Sequence, residues 1–259
     1  MTAVERKRVG LALGGGVVRG LAHVGVLSML EQAGIPIDFV AGTSAGSLVG
    51  AAYCAGADIE TIHRFSDDFR WWRFASLTWP VYGWFSFDKL ARWLVAEFGD
   101  LDFADLKKPY AVIATDLKTG EAVTVRQGRV APAVQASCSV PGIVSPVKID
   151  GRLLADGSLV NTVPVSVLRE MGADYVIGVD IFSSSIRSHW GPFGMAITAI
   201  EILVRGAGGG IKDADCLISP NLAGRTYLRF SKRDELITLG EEAAQAKLGC
   251  IRSALNLLA

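Results

Sequence analysis

One serine in this chain stands in a setting that could make it a nucleophile. Positions 42–46 read Gly-Thr-Ser-Ala-Gly, so that Ser44 is flanked by Gly42 and Gly46. A short apolar run precedes the pattern, and a run of small and apolar residues typical of a helix follows it. In a strand–turn–helix of this kind the glycines permit a sharp turn, which presents the serine oxygen beside a helix N-terminus. Gly-x-Ser-x-Gly also occurs by chance in glycine-rich chains, but this context favours a nucleophile for acyl transfer.

A glycine-rich loop earlier in the chain could bind an anion. Positions 14–20 read Gly-Gly-Gly-Val-Val-Arg-Gly and separate a predicted strand from a predicted helix. Adjacent glycines let backbone N–H groups turn towards an anion. Two ligands fit: the pyrophosphate of a dinucleotide, with Asp38 near the place of a ribose-binding acid, or the oxyanion of an acyl-transfer intermediate. We favour the oxyanion, because neighbouring βα loops open on one sheet edge and the next loop holds Ser44.

A nucleophilic serine needs a base, and an aspartate is a better candidate than a histidine. The chain has three histidines, His23, His63 and His189, and none lies in a recognisable motif. Asp156 ends an apolar run, 153–155, that we predict to be a strand, and a glycine follows it. Because Asp-Gly is also a common turn sequence, these residues alone leave the base undecided.

Composition narrows the classes of function. Half of the 259 residues are hydrophobic, and 26 basic side chains balance 26 acidic ones, so no basic excess indicates nucleic-acid binding. The four cysteines show no metal-ligand spacing, which predicts buried thiols in a reducing compartment. The charged N-terminus and the short apolar run after it fit neither a signal sequence nor a membrane span. We therefore expect a cytoplasmic protein.

Apolar runs and helical patterns alternate along the chain. The predicted strands lie at 9–13, 39–41, 110–115, 122–125, 175–180 and 216–219. The predicted helices lie at 19–32, 45–55, 131–137 and 233–258. Continuous apolar strands separated by helices predict a mostly parallel sheet covered on both faces, in a single α/β domain.

Four sequence blocks, in family order, resemble the bacterial patatin-like phospholipases. They are the glycine-rich opening at 11–27, the serine pentapeptide, the segment Ala-Ser-Cys-Ser-Val-Pro-Gly at 136–142, and Asp-Gly at 156–157. The resemblance implies the three-layer patatin-like fold. It also implies a catalytic dyad, with Ser44 as nucleophile and Asp156 as base, that needs no cofactor and no metal.

The resemblance extends to the two loops beside the serine. It implies an oxyanion hole formed by the backbone around Gly15, Gly16 and Val17. The remaining motif positions in these loops are Gly14, Arg19, Gly20, Gly42, Gly46 and Gly157. Arg19 matches a basic position of the family, and three roles are open to it: a solvated charge, an orienting group for the loop, or a phosphate contact.

Two positions depart from the family pattern. Many relatives carry another glycine where this chain has Val17, and glycine or alanine is usual where it has Ser158. Neither departure removes a reacting group, but a β-branched valine restricts the loop.

An aromatic-rich segment lies in the first half of the chain. We predict a charged segment at 1–8 and a hydrolase domain at 9–259, with a helical insertion at about 58–98 that contains five of the six tryptophans. Trp and Tyr suit a boundary between apolar and wet surroundings. The segment is therefore either a lid or lining that accepts acyl chains and contacts a lipid surface, or a cap on the core.

The sequence as a whole predicts a serine hydrolase of lipid acyl esters, with phospholipid or lysophospholipid as substrate. The alternative is a regulatory or binding protein on the same scaffold, with weak or no turnover; a nucleotide-binding oxidoreductase is a more distant one. We expect a lipid partner, peripheral contact with the inner face of the membrane, and no nucleic acid. The sequence leaves the oligomeric state open.

Overall fold

The fold is organised around one mixed β-sheet. The structure, a computed structural model, describes residues 6–68, 71–79, 81–182, 191–208, 210–222 and 233–257. Its strands are β1 Val9–Leu13, β2 Phe39–Thr43, β3 Ser76–Leu77, β4 Phe85–Ser86, β5 Tyr110–Asp116, β6 Ala122–Val125, β7 Val147–Ile149, β8 Arg152–Asp156, β9 Tyr175–Val179 and β10 Cys216–Ile218. Its helices are α1 Leu21–Gln32, α2 Ala45–Ala55, α3 Ile59–Asp68, α4 Trp71–Phe74, α5 Asp88–Phe98, α6 Val130–Ser137, α7 Val165–Glu170, α8 Gly191–Gly206 and α9 Arg233–Ala254.

The sheet is mostly parallel, as predicted. Strands β10, β9, β1, β2 and β5 follow one another in parallel. Strands β6 and β8 pair with β5 in the antiparallel sense, and β7 pairs with β8. The predicted strand that ends at Asp156 is β8, whereas β7 was not predicted, because it has only three residues and no apolar run.

Alternate residues of the central strands pack into different clusters. In β1, Leu11 and Leu13 belong to a large cluster with residues of α1, α2 and α9. Ala12 belongs to a second cluster with residues of α7. Successive side chains of a strand point to opposite faces of the sheet, so the two clusters lie on opposite faces. The fold therefore has three layers, with the sheet between two layers of helices. This double covering explains why the strands are continuous apolar runs.

Two glycines allow the C-terminal helix to pack tightly on α1. A Cβ at Gly25 in α1 would overlap the carbonyl oxygen of Ile237, and a Cβ at Gly240 in α9 would overlap that of Ala22. The last predicted helix thus packs directly against the first. It ends at Ala254 rather than at the predicted position 258. The prediction that all four cysteines are buried is wrong for Cys250, which is exposed on α9.

The strand register brings the ends of β2 and β8 together. Strand β6 pairs with residues 112–115 along one edge of β5. Along the other edge, β2 pairs with residues 110–113 and β8 with residues 114–116. Thr43 at the end of β2 lies opposite Ile113, and Asp156 at the end of β8 lies opposite Ala114. The residue after Thr43 therefore meets Asp156.

Candidate active site

Ser44 occupies a strained turn between β2 and α2. Its φ of 51° and ψ of −122° lie in a region that non-glycine residues rarely adopt. The flanking glycines permit the turn, since a Cβ at Gly42 would lie 2.7 Å from Ser47 Cα and a Cβ at Gly46 would overlap the Leu13 carbonyl. The predicted strand–turn–helix is therefore present, with its serine at the carboxyl end of β2.

The partner of the Ser44 hydroxyl is Asp156. Ser44 Oγ donates a hydrogen bond of 2.8 Å to Asp156 Oδ2, and both residues are buried. The other carboxylate oxygen, Oδ1, accepts a hydrogen bond of 2.9 Å from the backbone N–H of Ser158. Burial raises the pKa of Asp156 from 3.8 to about 6, although the hydrogen bonds from Ser158 and Ser44 lower it. This carboxylate is consequently a stronger base than an ordinary aspartate, and ionised at neutral pH.

The backbone of Asp156 is fixed on both sides. Its N–H donates to the Ser139 carbonyl at 2.9 Å, and its own carbonyl accepts from Thr115 Oγ1 at 2.7 Å. A Cβ at Gly157 would overlap the carbonyl of Ile113, so the chain turns away from β5 at a position that needs glycine. These contacts hold the carboxylate at the end of β8.

Two residues of the segment 136–142 form hydrogen bonds with the backbone of Ser44. Ser44 N–H donates to Ser137 Oγ at 2.8 Å, and the Ser137 hydroxyl donates to the Ile113 carbonyl at 2.6 Å. The Ser44 carbonyl accepts from Ser47 Oγ at 2.7 Å and from Cys138 Sγ at 3.4 Å. The sequence of this segment resembles a family motif, but the resemblance gives no role for Ser137. The motif itself was the signal that could have pointed to one.

The glycine-rich loop lies beside Ser44, but one expected donor is already bonded. Gly15 N–H donates to the Thr162 carbonyl at 3.1 Å, which corrects the expectation that this amide faces an oxyanion. A Cβ at Gly15 would overlap the Ser158 hydroxyl and lie 3.4 Å from Ser44 Cβ, so the glycine provides clearance. The N–H groups of Gly16 and Val17 have no hydrogen-bond acceptor among the residues that the structure describes.

Val17 adopts an unusual conformation for a β-branched residue. Its φ is 53°, which is the left-handed region that glycine tolerates best. The family glycine at this position fits that geometry. The side chain of Val17 is 45 % exposed and lines the cavity described below.

Two other expectations about this edge of the sheet are corrected. Arg19 is 1 % exposed, so the interpretation as a solvated charge is wrong. Asp38 precedes β2 and accepts hydrogen bonds from Arg6 and from Val9 N–H at the start of β1. It therefore lies at the amino-terminal ends of β1 and β2, whereas the glycine-rich loop follows the carboxyl end of β1. Asp38 cannot serve as a ribose-binding acid at that loop.

The structure does not place either of the described histidines as the base for Ser44. His23 is buried, and its Nε2 donates to the Gly14 carbonyl at 2.7 Å, which supports the glycine-rich loop. Burial lowers the pKa of His23 to about 4, so the imidazole is neutral at pH 7. His63 lies in α3, and His189 lies outside the described residues. In the described part of the chain, no group of three or more His, Cys, Asp or Glu residues could hold a metal ion.

An apolar cavity of about 250 Å³ opens beside the serine. Ser44 and Cys138 are among its lining residues. The rest of the lining includes residues of the glycine-rich loop, of α1, α2, α3 and α5, and of the segment 140–144, among them Leu21, Leu48, Phe65, Leu90, Trp93 and Val144. A space of this chemistry suits a hydrocarbon chain whose polar end lies at Ser44.

The aromatic-rich segment divides into two parts. Trp93 packs against Phe65 and Phe74 with ring centroids 5.4 and 5.2 Å apart, and with Phe65 it lines the cavity. Residues 76–79 and 81–86, hereafter the aromatic hairpin, contain β3 and β4 and expose Trp79 and Trp84. The interpretation that the tryptophans only cap the core is therefore wrong for the hairpin. None of the helices, within the described ranges, is long and apolar enough to cross a bilayer.

Comparison with known protein families identifies the family of this chain. The family model for patatin-like phospholipases matches residues 11–169, and the chain belongs to this family. This confirms the resemblance of the four sequence blocks, which all lie within that range.

Two curated relatives and two solved structures are similar to the chain. Lysophospholipase nte1 of Aspergillus fumigatus is 31 % identical over 268 residues, which cover 90 % of this chain and 18 % of that protein. Neuropathy target esterase sws of Drosophila melanogaster is 34 % identical over 183 residues, which cover 68 % of this chain and 13 % of that protein. The chain thus spans less than a fifth of the length of these relatives.

The solved structures show the same fold at low sequence identity. VipD from Legionella pneumophila has a TM-score of 0.62 at 14 % identity, over 96 % of this chain and 67 % of that one. The type III effector protein ExoU has a TM-score of 0.56 at 12 % identity, over 95 % of this chain and 53 % of that one.

Proposed function

We propose that this protein hydrolyses carboxylic esters of lipids, with Ser44 as nucleophile and Asp156 as base. The observation that carries the proposal is the 2.8 Å hydrogen bond from Ser44 Oγ to Asp156 at the wall of an apolar cavity. Membership of the patatin-like phospholipase family supports it, as do relatives named lysophospholipase and esterase.

The geometry fits a two-step acyl transfer. Ser44 Oγ attacks the ester carbonyl carbon while its proton passes to Asp156 Oδ2. Asp156 then donates that proton to the departing alcohol, which leaves an acyl group on Ser44. In the second step a water molecule attacks the acyl carbon while Asp156 accepts a proton from this water. Asp156 then returns the proton to Ser44 Oγ as the bond between Ser44 and the acyl carbon breaks, which releases the acid and restores both residues.

We assign the oxyanion hole to the N–H groups of Gly16 and Val17. Both belong to the loop beside Ser44 and lack an acceptor among the described residues, whereas Gly15 N–H is bonded to Thr162. A pre-formed donor pair of this kind stabilises the charge that develops on the carbonyl oxygen. Gly15 then has a spacing role, since it makes room for the Ser158 hydroxyl.

The cavity favours a lipid as the ester. Its lining would accept the acyl chain and leave the head group outside, which suits a phospholipid or lysophospholipid. Because the chain covers only part of its named relatives, their substrates are support for this choice rather than its basis. A cytoplasmic location with contact to the inner face of the membrane stays a prediction.

The test is ester hydrolysis by matched variants. Wild type, Ser44→Ala and Asp156→Asn are compared on p-nitrophenyl butyrate and on lysophosphatidylcholine, with folding checked by circular dichroism. We expect both variants to lose about 10³-fold in kcat, since loss of either partner disables the proton transfer. The matched controls are Ser253→Ala and Asp150→Asn, because both positions are exposed and Asn tolerates the φ of 48° at Asp150.

The same assay separates the enzyme from a binding protein on this scaffold. A folded wild type that is inert on both esters would favour the binding protein. A folded Asp156→Asn protein that keeps the full rate would refute the assignment of the base.

A further inference from the structure

The aromatic hairpin exposes an unusual amount of apolar surface. Five of its side chains are each at least 60 % exposed: Leu77, Trp79, Val81, Tyr82 and Trp84. Scattered exposed apolar residues are common in soluble proteins, but large side chains grouped on one short hairpin mark a surface that binds something.

The chemistry of this hairpin matches the interfacial layer of a bilayer. Residues 74–87 contain no charged side chain and no histidine. The exposed Arg73 precedes the stretch, and the exposed Asp88 and Lys89 follow it. Trp and Tyr are favoured at the membrane–water boundary, because their rings are apolar on one side and polar at one end. Basic residues around such a patch can reach lipid phosphates.

The hairpin is attached to the wall of the cavity. Trp84 N–H donates to the Ile143 carbonyl at 3.0 Å, and Ser145 N–H donates to the Phe85 carbonyl at 2.7 Å. Between these bonds lies Val144, which with Ile143 lines the cavity beside Ser44. The exposed apolar surface and the space for an acyl chain are thus parts of one connected structure.

We infer that the aromatic hairpin docks the protein on the surface of a phospholipid bilayer and places the cavity next to the lipid layer. The inference rests in part on the proposed function, because the cavity must accept an acyl chain for this placement to have a purpose. Docking would allow a lipid to enter the cavity without its acyl chain crossing water. The connection to the cavity and the uncharged stretch favour a bilayer over another protein as the partner.

The first experiment measures binding to vesicles. Wild type, Trp79→Ala/Trp84→Ala and the control Ile202→Ala/Leu203→Ala are sedimented with vesicles of phosphatidylcholine and phosphatidylserine. The control removes two exposed apolar side chains from α8 and leaves the hairpin intact. We expect the double tryptophan variant to lose about 100-fold in partition coefficient, since each buried side chain of this size is worth about tenfold. The control should bind like wild type.

Activity on a soluble ester separates this inference from the proposed function. The double tryptophan variant should hydrolyse p-nitrophenyl butyrate at the wild-type rate, and Ser44→Ala should bind vesicles like wild type. A wild type that is inert on esters yet binds vesicles through the hairpin would refute the proposed function alone. An active enzyme whose vesicle binding is unchanged by the tryptophan substitutions would overturn the inference and point to a protein partner for the hairpin.

A second measurement needs no variant. Tryptophan fluorescence of the wild type is recorded with vesicles that contain brominated phosphatidylcholine. If the hairpin inserts, the bromine atoms quench a large part of the emission, whereas bound protein without quenching would place the tryptophans outside the lipid and contradict the inference.

Discussion

Replacing Asp156 by asparagine should stabilise the protein at neutral pH while it removes activity. The carboxylate is buried, and its pKa is about 6 compared with 3.8 for an ordinary aspartate. Because the folded protein binds this proton more tightly than the unfolded chain does, ionisation favours unfolding. Asparagine has nearly the same shape, keeps an oxygen that accepts from Ser158 N–H, and carries no charge.

The size of the effect follows from the two pKa values. Each pH unit between 3.8 and about 6 is worth about 1.4 kcal/mol, so complete ionisation lowers the free energy of unfolding by about 3 kcal/mol. This loss of stability is absent below pH 3.8, grows as the pH rises from 3.8 to about 6, and is complete above about pH 6. The difference in stability between Asp156→Asn and wild type should therefore grow by up to about 3 kcal/mol from low to neutral pH.

Urea denaturation of both proteins at a series of pH values from 4 to 8 measures this difference. Asp150→Asn is the control, since it makes the same change of side chain at an exposed position outside the site. A stability difference for Asp156→Asn that is flat with pH would refute the reasoning, and so would a difference that moves in favour of the wild type as the pH rises.

Three further predictions concern the rate and the choice of substrate. The kcat/KM for p-nitrophenyl butyrate should fall about tenfold per pH unit below about pH 6, because protonated Asp156 cannot accept a proton; a profile that stays level to pH 4 would contradict the raised pKa. Ser137→Ala should lower kcat about tenfold with little change in KM, since Ser44 N–H loses its acceptor and the turn loosens; an unchanged kcat would show that this bond does not position the nucleophile. Leu48→Trp should shift the preference among p-nitrophenyl esters towards short chains by filling the cavity, and an unchanged chain-length profile would place the acyl chain elsewhere.

The local sequence was sufficient to predict the turn that holds Ser44. Gly42 and Gly46 are required by contacts within a few residues or with the neighbouring strand, so the pentapeptide and its flanks predicted β2, the turn and α2. The bounds of α2 were predicted without error at Ala45–Ala55. Short elements were missed, because α7 has six residues and β3 and β4 have two each, which is too few to show a periodic pattern.

Features of the site that depend on distant residues could not be derived from local sequence patterns, and the pairing of Ser44 with Asp156 was expected only from the family resemblance. The meeting of Ser44 and Asp156 depends on the register of β2 and β8 along one edge of β5, which no local pattern encodes. The bond from Gly15 N–H to Thr162 joins segments almost 150 residues apart, so the loop motif gave no sign of it. The raised pKa of Asp156 likewise comes from burial by the complete fold.

The central claim, that an acyl group is transferred to Ser44, can be tested by trapping the intermediate. The protein is mixed with p-nitrophenyl butyrate, quenched in acid within the first turnovers, digested with trypsin and analysed by mass spectrometry. Cleavage after Arg19 and Arg64 releases peptide 20–64, which contains Ser44. We expect this peptide to carry a butyryl group located on Ser44, and Ser44→Ala to carry none. A butyryl group on another residue that accumulates and decays at the rate of turnover would contradict the assignment of the nucleophile.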